Sequence, residues 1–158
     1  QSGENDSMRK SEILSLVAGA AMVVAAGASS AEEHVVKAVV TNWDPLVVFV
    51  KPGDTVRWTN MAGHDTASVE GMLPEGAATW HSKMGEEVVM QFDTPGAYIY
   101  KCTPHVSAGM VGAIVVGDGS PGNLAQIDAA LETVPDAKNM VARAIRKMKM
   151  ELEKRGGG

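Results

Sequence analysis

The sequence predicts a mainly β domain of the sandwich or barrel class, followed by two α-helices. Three observations carry the prediction. Between residues 35 and 116, short runs rich in β-branched and aromatic residues are separated by Gly, Pro, Asn and Asp, the rhythm of a multi-stranded all-β fold. Beyond Gly122 the apolar residues recur at helical spacing instead. A 158-residue chain with 45% hydrophobic and 21% charged residues has the composition of one folded domain.

Residues 1–7 are polar, precede a Met, and read as an added leader or upstream extension outside the fold. Residues 8–31 have the pattern of a secretory signal: Arg9 and Lys10 at the start, an apolar run over 13–27, then the small residues Ala28, Ser29, Ser30 and Ala31. That apolar run is shorter than the roughly 20 residues a membrane-spanning helix needs, so no stable membrane association is expected. Cleavage after Ala31 leaves a mature chain of 32–158, with a β domain over 32–120 and a helical extension over 121–158 packed on it.

Each strand has a local reason. Residues 35–41 and 46–50 are Val-rich and flank a turn at Asp44-Pro45. Pro52-Gly53 forms a type II turn, because Pro presets φ and Gly accepts the positive φ that follows. In 55–59, Val56 and Trp58 share one face and Arg57 takes the other. His64 begins a short β-prone run, residues 71–86 read as a loop, and strands resume over 87–92, 97–102 and 109–116. A first helix is expected over 123–131. A second, capped by Asp136, runs to about 154 with Met140, Val141, Ile145 and Met148 as its apolar stripe.

Charge divides the mature chain. Residues 32–120 carry five basic against eleven acidic side chains, and residues 121–158 seven against five. The net negative balance argues against a nucleic-acid partner. The basic face of the last helix reads as a solvated surface.

The chemistry concentrates in one segment. Cys102, His105 and Met110 are spaced C-x2-H-x4-M. An exported chain with a single Cys has no intramolecular disulfide, so Cys102 is a buried thiol, an intermolecular half-cystine, a nucleophile or a metal ligand. Two His, one Cys and a weak axial Met form the donor set of a blue-copper electron-transfer site. Of the three other histidines, His64 is the natural second imidazole. His34, at a frayed N-terminus, and His81, in a polar loop, read as structural or exposed. Two rivals stay open. Zinc favours closed sets of short Cys/His spacings that are missing here. A Cys–His nucleophile needs an orienting group and an oxyanion hole that no motif announces. A copper chaperone or store is the alternative use of the same donors.

Several stretches together resemble the pseudoazurins, cupredoxins of bacterial periplasms. They are Pro52-Gly53-Asp54-Thr55-Val56, Gly63-His64, Gly71-Met72-Leu73-Pro74-Glu75-Gly76-Ala77, Pro95-Gly96-Ala97-Tyr98, Lys101-Cys102-Thr103-Pro104-His105 and Gly109-Met110-Val111-Gly112. The resemblance implies a Greek-key β-sandwich of about eight strands with two C-terminal helices. It also implies one type 1 copper held by His64, Cys102, His105 and Met110, and a mobile one-electron carrier rather than an enzyme. Its partners would be periplasmic redox proteins, with denitrification reductases the usual ones, docking transiently at the His105 edge framed by Pro104, Val106 and Ala108. Where the family has Asn after the first His ligand, this chain has Asp65. Its carboxylate is expected to accept from Thr103 and tie the ligand loops together, while its charge favours Cu(II) and lowers the potential.

Overall fold

The computed structural model describes residues 30–156. The signal and leader readings for 1–31 therefore fall almost wholly outside the described residues. Eight strands form two four-stranded sheets: β1 (Glu33–Val39), β2 (Asn42–Asp44), β3 (Val47–Val50), β4 (Asp54–Thr59), β5 (Ala67–Ser68), β6 (Val88–Phe92), β7 (Gly96–Lys101) and β8 (Val111–Val116). One sheet has the order β2-β1-β4-β6 and the other β3-β8-β7-β5. Each is mixed, since β1 runs parallel to β4 and β3 parallel to β8 while the remaining pairs are antiparallel.

The alternation of β4 places Asp54, Val56 and Trp58 inward and leaves Thr55, Arg57 and Thr59 half-buried. Val56 and Trp58 then meet Val36, Phe92, Tyr98, Tyr100 and Ile114 between the sheets. In contrast, β7 and β8 are buried along nearly their whole length. A strand buried on both faces needs a cover on each. Here Tyr98 and Tyr100 point into the sandwich, while Ala97, Ile99, Val111, Ala113 and Val115 pack under the helices. That cover is α1 (Leu124–Leu131) and α2 (Lys138–Gly156), whose Ile127, Val141, Ala144, Ile145 and Met148 are buried.

One close approach fixes the β7–β8 register. Tyr100 lies opposite Gly112, and a Cβ built on Gly112 would sit 2.5 Å from the Tyr100 ring. The hydroxyl of Tyr100 and the indole nitrogens of Trp43 and Trp58 have no hydrogen-bond partner of good geometry among the described residues, and the three rings pack on one another.

Several sequence expectations are corrected. The first strand begins at Glu33, so His34 is not frayed: it lies within β1, and its Nε2 is 2.9 Å from Asp54 Oδ2. The run 46–50 is preceded by a separate short strand, β2, which hairpins onto β1. His64 does not begin a strand; it sits in the loop before the two-residue β5. Asp136 does not cap α2, because Ala137, at φ 55°, stands between it and the first helical residue.

Candidate metal centre

Two chain segments meet at the end of the sandwich reached by the C-terminal end of β4. The first is the loop carrying His64. Its backbone is pinned on both sides, with the His64 N–H donating to Met61 O at 2.8 Å and the Gly85 N–H donating to His64 O at 2.8 Å. The second is a 3-10 helix, Thr103–Ala108, that leaves β7 through extended Cys102. Pro104 in its first turn suits a helix start, where the missing N–H is not needed. Gly109 ends it at φ 99°, the left-handed conformation that glycine adopts without a Cβ penalty. The turn then closes on itself: Met110 N–H donates to His105 O at 3.2 Å, and Cys102 N–H to Met110 O at 3.0 Å.

This folding brings three donors together. Cys102 Sγ is 3.6 Å from His64 Nδ1 and 3.4 Å from His105 Nδ1, and the two ring nitrogens are 3.2 Å apart. The centre of a triangle with such edges lies about 2 Å from each corner, close to the bond lengths of a first-row transition ion to imidazole and thiolate. Cys102 and Met110 are fully buried, His64 nearly so, and His105 is partly exposed. The donor set and its size therefore fit a copper ion.

The electrostatics suit metal binding. Burial, and then the neighbouring His105, push the His64 pKa down against the pull of Asp65, which keeps its lone pair free for a metal. Burial pushes the Cys102 thiol up, partly offset by the backbone N–H groups of Asp65 and His105 beside the sulfur. Burial also works against ionisation of Asp65, but the Thr103 hydroxyl and amide and His81 outweigh it and hold the carboxyl below its ordinary range.

Asp65 ties the two segments. Its Oδ1 accepts the Thr103 N–H at 2.6 Å, and its Oδ2 accepts the Thr103 hydroxyl. Sequence reasoning missed a third partner, His81, whose Nε2 is 2.9 Å from Oδ2. No spacing pattern links 81 to 65; the link comes from the loop folding back, marked by an isolated bridge between Ala67 and His81. The expected docking residues separate. Pro104 and Ala108 are exposed, but Val106 is only 8% exposed and packs under α2, which crosses this turn. Three residues per 3-10 turn put Val106 on the side of Thr103 and Gly109, facing inward.

Comparison with known proteins agrees with the donor set. Residues 31–117 match the family described as copper binding proteins, plastocyanin/azurin family. The chain belongs to this family. A Rhizobium leguminosarum bv. viciae protein provisionally named a pseudoazurin is 38% identical over 122 residues, covering 73% of this chain and 80% of the relative. The pseudoazurin of Methylorubrum extorquens is 42% identical over 77 residues, 48% of this chain and 52% of the relative. Among solved structures, a Sinorhizobium pseudoazurin aligns with a TM-score of 0.63 at 34% identity, covering 80% of this chain and 99% of that one. This plastocyanin/azurin-family chain is thus an electron-transfer copper protein and not an enzyme. The eight strands, two mixed sheets and C-terminal helices match the expected fold class.

Proposed function

We propose that this protein is an exported, periplasmic type 1 copper protein that carries single electrons between redox enzymes. The observation that supports this most strongly is the convergence of His64 Nδ1, His105 Nδ1 and Cys102 Sγ within 3.2 to 3.6 Å at one end of a stiff sandwich. In this reading residues 8–31 direct export, 32–120 form the copper domain, and 121–158 form the extension that buttresses it. No helix among the described residues is long and apolar enough to cross a membrane.

His64, His105 and Cys102, with the buried Met110, would hold the ion: two imidazoles, a thiolate and a thioether are the donors of an electron-transfer copper site. Bound there, copper supplies a one-electron couple. The chain's part is to hold the donors still: the 3-10 turn, the Asp65–Thr103 tie and the aromatic core beneath them leave little to rearrange between oxidation states. Cys102 would give up its proton on binding, and burial, which pushes the thiol up, favours the proton in that competition. The exposed edge of His105, between Pro104 and Ala108, is the exit for the electron, with Val106 supporting the turn from below. Partners are periplasmic redox proteins, denitrification reductases among them, that dock transiently on that edge.

Voltammetry of the copper-loaded protein tests the role. A reversible one-electron couple is expected. Tight copper binding without one contradicts the carrier and favours a copper chaperone or store.

A further inference from the structure

His81 stands outside both ligand segments yet touches the tie between them. Its side chain is 63% exposed, whereas that of Asp65 is 3% exposed. From the imidazole a continuous path runs through Asp65 to the amide and hydroxyl of Thr103. Asp65 follows His64 in the chain, and Thr103 follows Cys102. A proton gained or lost at the surface thus acts on the one carboxylate that joins the backbones beside two donors.

Other charged groups share the groove that His81 lines. Glu70, Lys101 from β7 and Asp136 from the connection between α1 and α2 line the same groove, and Lys83 follows on the same loop. They comprise two acidic and two basic groups. The carboxylate of Asp65, at 2.9 Å, dominates.

We propose that His81 is a positioning residue that makes the reduction potential of the copper centre depend on pH, by offsetting the charge of Asp65 when protonated and exposing it when neutral. This rests on the type 1 centre proposed above. The balance is simple: reduction adds one electron at the centre, and His81 takes up part of a proton from water, with no bond made or broken at the donors. By reciprocity, whatever factor protonation adds to the affinity for the electron, the electron adds to the affinity for the proton.

The test compares copper-loaded wild type, His81→Gln and Asp65→Asn by voltammetry from about pH 5 to pH 8. Glutamine can keep a hydrogen bond to Asp65 but does not titrate, so it separates charge from scaffolding. The wild-type potential is expected to fall as pH rises, by an amount equal to about a fivefold or larger change in the redox equilibrium. That step is expected to vanish in both variants. A second reading needs no metal: in the metal-free protein the Thr103 amide resonance moves with pH in wild type and stands still in His81→Gln. A potential step of equal size in His81→Gln, or a Thr103 amide unmoved by pH in wild type, overturns the proposal. Absence of intense visible absorption in copper-loaded wild type marks a failure of the type 1 reading instead, and the metal-free titration still reports on His81.

Discussion

The two ends of β4 carry the same device put to different use. At its start, Asp54 accepts the Glu32 and Lys51 amides at 2.9 Å each and pairs with His34 at 2.9 Å. Beyond its end, Asp65 accepts the Thr103 amide and hydroxyl and pairs with His81, also at 2.9 Å. Both carboxylates are nearly buried and both are held below the ordinary carboxylate range. Asp54 fastens the edge of β1 to the turn before β4. Asp65 fastens two segments that present donor atoms. Collecting donors around a buried carboxylate is therefore a structural staple, and it acquires a redox role only when the backbone it holds carries ligands.

The largest effect expected is on what the two ends share. Trp58 is fully buried between them and contacts Tyr100 at a centroid distance of 5.4 Å. Trp58→Ala is expected to cost about 3–5 kcal/mol in urea unfolding of the metal-free protein. A loss under about 1 kcal/mol would mean the core does not couple the ends.

Next comes the Asp54 end. The two amides, then His34, hold its carboxyl down to about 2, below the ordinary value of 3.8. A depressed folded-state pKa adds stability that is complete above the unfolded value and disappears as pH falls towards the folded one. Stability of the metal-free protein is thus expected to drop between about pH 4 and pH 2. Asp54→Asn should flatten that part of the profile while leaving copper absorption intact. A changed copper spectrum would break the distinction between the ends.

A smaller change in stability is expected at the Asp65 end. Asp65→Asn keeps an acceptor for Thr103, so the cost should be about 1 kcal/mol, while the potential rises because a negative charge beside the centre is removed. A potential unchanged at pH 8 would show that the carboxylate does not act on the metal.

How much of this was legible depended on whether one stretch of chain carried the whole signal. The alternation in β4 and the continuous burial of β7 and β8 follow from residue types within each strand, so these elements could be read directly. Cys102, His105 and Met110 lie within nine positions, and few chemistries use that set, so the donors were legible too. What was hidden depends on tertiary pairing. Ala67 and Ser68 alone find a partner strand in the run after His64. Val106 faces inward because α2 crosses the 3-10 turn. His34 and His81 look alike as lone histidines, and only the fold shows that each has found a carboxylate.

The central claim, a thiolate-ligated copper site, is tested most directly by visible and EPR spectra of the copper-loaded protein beside Cys102→Ala. The account predicts intense visible absorption and a narrow copper hyperfine splitting in wild type, both lost in the variant. A colourless wild-type adduct with an ordinary copper EPR signal, or intense absorption that survives in Cys102→Ala, would contradict it.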